Sequence, residues 1–173
     1  MGEASPIRDL GPCCVVWDPD GVNVELSPMF GDVYFRSEDQ SEPIHEDGKG
    51  VTEIDSVMVG RITELQIPMT RSDLDQLNKV IGGSVKVGSV LTISNRVGMA
   101  VAQYAKEIIL KPMEDDRCTS TKSEWLRILK CYPMHAFEIP YNLSTQRIFN
   151  VVFKVYPLDS DGQSGEIWKM GHV

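Results

Sequence analysis

The chain has 173 residues, 42% hydrophobic and 24% charged, enough for one globular domain with a core that needs no metal or disulfide support. No apolar run approaches the roughly 18 residues of a membrane-spanning helix, and Met1 to Leu10 lacks the basic cluster and apolar stretch of a secretory signal, so neither a membrane nor that export route is expected. Acids outnumber bases 25 to 17, giving a formal charge of −8, which excludes a tight grip on phosphates unless the bases cluster on one face.

Apolar segments are short, rich in β-branched and aromatic residues, and punctuated by Gly, Pro, Asp and Ser, the pattern of a mainly β domain. Cys13 to Trp17 reads as the first strand, ended by the turn Asp18-Pro19-Asp20-Gly21, with Val22 to Leu26 as its hairpin partner. Gly31 to Arg36 follows, with Val33 and Phe35 on one face and Tyr34 and Arg36 on the other. From Ser37 to Gly50 the chain turns polar and breaker-rich, which reads as a long loop, and Ser37 to Ser56 as a projecting arm. A strand resumes from Val57 to Ile67. Arg61 and Thr63 interrupt its apolar face, so it is expected to span two environments.

One helix is expected, capped by Ser72 with Asp75 reaching back toward it, carrying Leu74, Leu77, Val80 and Ile81 at helical spacing, and stopped by Gly82-Gly83. Strands follow at Val90 to Ile93 and at Val101 to Lys111, the latter stopped by Pro112. Trp125 to Cys131 fits either a strand or a short helix capped by Ser123. Met134 to Pro140 reads as a strand between two prolines. Arg147 to Tyr156 alternates most clearly, with Phe149, Val151, Phe153 and Val155 on one face. After the turn Asp159-Ser160-Asp161-Gly162, Glu166 to Met170 is expected to return as its hairpin partner.

Chemistry is hard to find. Cys13, Cys14, Cys118 and Cys131 form no C-x-x-C pair, and His45, His135 and His172 stand apart from one another, so no zinc site is expected and the cysteines read as buried reduced thiols. Neither Gly-x-Ser-x-Gly nor a P-loop occurs. Gly82-Gly83-Ser84 follows a helix instead of opening one, Asp115-Asp116 fits a solvated turn, and Asp18-x-Asp20-Gly21 lacks the later ligands of a calcium loop. His135, beside Met134 in a strand, reads as a packed residue. The expectation is a protein without catalytic, cofactor or metal residues.

The C-terminal third carries a likeness. Trp125-Leu126-Arg127-Ile128-Leu129-Lys130, Cys131-Tyr132-Pro133 and Glu138-Ile139-Pro140-Tyr141 lead into Gln146-Arg147-Ile148-Phe149 and Val152-Phe153-Lys154-Val155-Tyr156-Pro157, then an Asp-Gly turn and a closing strand through Ile167, Trp168 and Gly171. Together with the opening Gly11-Pro12-Cys13 and its acidic turn, this order resembles the tail tube proteins (major tail proteins) of long-tailed bacteriophages. The length of the acidic linker Met113 to Arg117 departs from that pattern. The resemblance implies a mainly β, α+β domain over residues 1–173, two packed antiparallel sheets forming a sandwich or half-barrel with one flanking helix, and Met1 to Leu10 as a flexible assembly arm. It further implies hexameric rings stacked into a hollow virion tail tube, assembled in the host bacterial cytoplasm. The tube would hold a tape-measure protein, be closed by tail terminator and distal tail or baseplate proteins, and conduct DNA without binding it tightly. Segment 37–56 would be the inter-ring loop, with Glu38, Asp39, Glu42, Glu46, Asp47 and Lys49 as contact candidates. Type VI secretion tubes, contractile-tail tubes and tail terminators share that fold and stand as alternatives. A monomeric ligand-binding β-barrel is the alternative from another class.

Overall fold

The computed structural model describes residues 12–18, 20–21, 23–26, 32–45, 51–69, 74–81, 83–95, 97–114, 117–135, 149–158 and 165–171, and the statements that follow concern these. Strand β1 (Cys13–Trp17) stops where Asp18 turns into the left-handed region at φ 49° and its carbonyl accepts the N–H groups of Gly21 and Asn23, at 3.1 and 2.8 Å. Asp and Asn tolerate that backbone better than other side-bearing residues. Strand β2 (Val24–Leu26) then pairs back on β1, as the turn predicts. The chain continues through β3 (Tyr34–His45), β4 (Glu53–Met69), helix α1 (Leu74–Val80) and a hairpin of β5 (Ser84–Val87) and β6 (Val90–Ile93). It ends with β7 (Lys106–Glu114), β8 (Arg117–Cys118), β9 (Leu126–His135), β10 (Phe149–Val155) and β11 (Trp168–Met170).

Both sheets are antiparallel, and they are very unequal. The main path runs β2-β1-β7-β9-β10-β4-β3, with β8 on β7 and β11 on β9, while β5 and β6 pair only with each other. Two antiparallel sheets are present as expected, and the large one curls upon itself. The rings of Trp17 on β1 and Phe153 on β10 stand 5.1 Å apart, although three strand spacings, about 14 Å in a flat sheet, separate those strands. The concave face holds Val15, Leu26, Leu65, Ile67, Ile108, Ile128, Val151 and Phe153, each at most 3% exposed, and α1 adds Val80. Burial of each such side chain contributes roughly 1.5–3 kcal/mol. The curl remains open: β2 and β3 end the path and do not meet.

Several elements differ from their sequence reading. Val101–Tyr104 is a 3-10 turn, and the strand after it runs through Pro112, which pairs with Cys13. Pairing of β7 with β9 ends at Leu110, so Pro112 has no β9 partner to which an N–H would have to donate. Pro133 likewise lies inside β9, past the point where β7 stops pairing at Cys131. Leu126–His135 is therefore one strand, led in by a 3-10 turn at Lys122–Glu124. Strand β11 pairs with β9 through Ile128 to Leu126, and only an isolated Leu158–Glu166 bridge joins the two sides of the expected final hairpin. The helix covers seven residues. Ser72 and Gly82 lie outside the described residues, and Asp75 receives the Lys86 ammonium at 2.5 Å.

The cysteines are not four reduced thiols. Cys14 and Cys118 form a disulfide across a 104-residue separation, tying β1 to β8. Cys13, on the opposite face of β1, packs against the core, and Cys131 is fully buried with its Sγ 3.1 Å from the Lys106 carbonyl. Burial pushes both free thiols above their ordinary range, Cys131 furthest, with the nearby Glu107 charge adding to it.

Candidate assembly surface

Of the stretch read as a long loop, Ser37 to His45 is the outer part of β3, which forms a two-stranded ribbon with β4, and residues 46–50 lie outside the described residues. From Tyr34↔Gln66 to His45↔Glu53, β3 and β4 pair continuously, with irregularities at Gln40/Ser41 and Ile44/His45 that add local twist. Partners along its inner face record how it leaves the body. Phe35 opposes buried Leu65, then Ser37 and Thr63 face each other with hydroxyls 3.0 Å apart, then Asp39 takes the Arg61 Nε–H at 2.5 Å. Thr63 is buried, and every residue from Glu53 to Ile62 is exposed. Ten residues at about 3.3 Å each carry the ribbon roughly 33 Å beyond the core.

Of the contact candidates, Glu38, Asp39 and Glu42 stand exposed on β3, and Glu46, Asp47 and Lys49 lie outside the described residues. Glu38 pairs with Arg36 on its own strand and Asp39 with Arg61 across the ribbon. The hydrogen bond from Arg61 holds the Asp39 carboxyl below the usual carboxylate range, and in return Asp39 raises the guanidinium. Both partners are open to solvent, so this pair fixes geometry more than it stabilises the fold.

What sequence reasoning missed is apolar. Ile44, Val51, Ile54, Val57, Met58, Val59 and Ile62 are between 40% and 96% exposed, Val51 just before β4 and the others on the ribbon. Single exposed aliphatics need no account, whereas seven gathered on one projecting element and divided between its two faces point to a contact surface. The signal was present in the sequence: Val57-Met58-Val59 is an unbroken apolar run, unlike the alternation of a strand that buries one face in its own core.

The backbone is also open. Strand β10 pairs with β4 only from Glu64 to Met69, which leaves that edge of β4 without a described partner from 53 to 63, and β3 ends the sheet. Strands β10 and β11 follow one another along the same edge of β9, and the sheet forks where β11 takes over. The groove in the fork is lined by Arg61 and by Gly165 to Lys169. Trp168 packs edge-on against Phe35 there, and its buried indole N–H has no partner among the described residues.

A second depression is lined by Asp18, Asp20, Lys106, Glu107 and Lys130. Glu107 holds the neighbouring Arg127 at 2.5 Å, and Lys106 stands 3.9 Å from Asp18, so this region is dominated by internal ion pairs. Comparison of the chain with models of known protein families and with curated proteins yields no match.

Proposed function

We propose that this chain is the structural subunit of a bacteriophage tail tube, in which hexameric rings stack into a hollow conduit for the tape-measure protein and then for DNA. The observation that carries this reading is the ribbon of β3 and β4: apolar side chains and unpaired backbone edges on a molecule whose sheet does not close. A two-stranded ribbon is marginal in water by itself, and exposed edges template pairing with other chains. Identical neighbours satisfy both needs at once, because a ring gives every edge a partner. Six copies supplying about four strands each, spaced roughly 4.8 Å, would enclose a bore of about 40 Å, wide enough for a duplex. The excess of acids would keep DNA from adhering to the wall. The open curl disfavours the monomeric ligand-binding barrel, which would have to join its own edges.

The test is negative-stain microscopy of the purified protein beside a variant in which residues 38–62 are replaced by Asn-Gly. That two-residue turn fits directly between the facing Ser37 and Thr63. The parent is expected to form long tubes and the variant to remain a folded single species. Single rings from the parent would indicate a terminator-type role. Tubes from the variant, or a parent that stays solitary at every concentration, would overturn the reading.

A further inference from the structure

Glu25 stands opposite Val16 in the pairing of β2 with β1, so it shares the outer face of the sheet with Cys14, two positions along from Val16. Cys118 reaches the same spot from β8. One donor atom from each of Cys14, Glu25 and Cys118 lies within 4.8 Å of the other two, and the Glu25 Oε1 is 3.8 Å from the Cys118 sulfur. Cys14 is buried, while Cys118 and Glu25 are open to solvent, which gives the cluster a base and an entrance.

We propose that, when the disulfide is reduced, Cys14, Cys118 and Glu25 bind one thiophilic divalent cation of the zinc type, and that cation and disulfide are alternative occupants of the same place. Two sulfurs at about 2.3 Å and a carboxylate oxygen at about 2.0 Å from a tetrahedral centre stand roughly 3.8 Å (S to S) and 3.5 Å (S to O) apart. The sulfur–carboxylate spacing is already close to this value. The two Cα atoms, 5.7 Å apart, allow the sulfurs to part by side-chain rotation alone. Water would fill the fourth position. The exchange balances: a dithiol reductant gives two electrons and two protons to the disulfide and becomes a disulfide itself, and the cation then displaces the two thiol protons into solvent. Closing the bond again, by a disulfide oxidant, releases the cation.

The experiment uses the full chain carrying Cys13→Ser, which removes the neighbouring thiol. After reduction with dithiothreitol and its anaerobic removal, Cd2+ is added and thiolate-to-cadmium charge-transfer absorption is followed, with circular dichroism confirming the fold. The expected result is saturation at one equivalent, at least a tenfold weaker titration in Glu25→Gln, and no absorption from the oxidised protein. Three results would each overturn the proposal: a folded, reduced protein that gives no band, a Glu25→Gln variant that titrates like its parent, or saturation at half an equivalent, which means that two chains share the ion.

Discussion

Thr63 marks the residue at which β4 changes solvent. Below it Leu65, Ile67 and Met69 are essentially fully buried, and above it nothing on the strand is. The cost of change at a position follows from which side of that line it occupies. Phe153, at 0% exposure against Trp17, leaves a large void on truncation, and Phe153→Ala is expected to lower the unfolding free energy by about 3–5 kcal/mol in urea melts. Asp39 and Arg61 lie beyond the line. Since the folded-state pKa of Asp39 is depressed, its small contribution is present at neutral pH and is lost in acid as the carboxyl takes up a proton. A double-mutant cycle with Asp39→Asn and Arg61→Ala should show weak coupling at pH 7 and none in strong acid. The thiols give a third check. Without reductant, unfolded protein should release two groups to a thiol reagent, Cys13 and Cys131, and with reductant four, while native Cys131 reacts slowest of all.

At the scale of the element, legibility depends on where the pattern has its cause. Strands β1, β6 and β10 are readable because their own alternation or turn signals dictate them: Phe149, Val151 and Phe153 point inward in the structure as the sequence predicts. The break at Arg61 and Thr63 was also readable, since a single face cannot be half apolar and half charged in one environment. The outer half of β3 was not. Its run Ser37-Glu38-Asp39-Gln40-Ser41-Glu42-Pro43 has no strand character, and it is extended because β4 offers it a continuous ladder. Pro112 and Pro133 misled for a related reason, because a proline ends a strand only where a neighbour requires its missing N–H. The ribbon's exposed apolar side chains lead to a further expectation. Val57→Lys with Val59→Lys should leave the thermal midpoint nearly unchanged, because both side chains are already exposed, yet should abolish higher-order species in light scattering.

For the molecule as a whole, the sequence foretold a mainly β domain with one helix, and the resemblance implied two packed antiparallel sheets; the described residues form two antiparallel sheets that do not close. Which strands become neighbours is set by pairings across the chain, β1 with β7 and β4 with β10, and local patterns carry no trace of these. The disulfide is hidden for the same reason: only the return of β8 along β7 brings Cys118 to Cys14. Cys118→Ser removes a link that closes a loop of about 100 residues and is expected to reduce stability by about 2–5 kcal/mol in chemical denaturation, with the fold retained.

The order of pairing along the chain has a consequence for biosynthesis. Strands β3 and β4 are sequence neighbours and can zip together as soon as residue 69 leaves the ribosome, whereas β1 waits for β7, which begins at Lys106, and β4 waits for β10, which begins at Phe149. Pairings so distant in sequence form slowly. The partners of the ribbon are thus both present well before the body that carries them is complete, so a nascent chain displays its adhesive element before it has a full scaffold. Premature association on polysomes is the hazard this order creates, and slow elongation through residues 70–148 would lengthen that exposure.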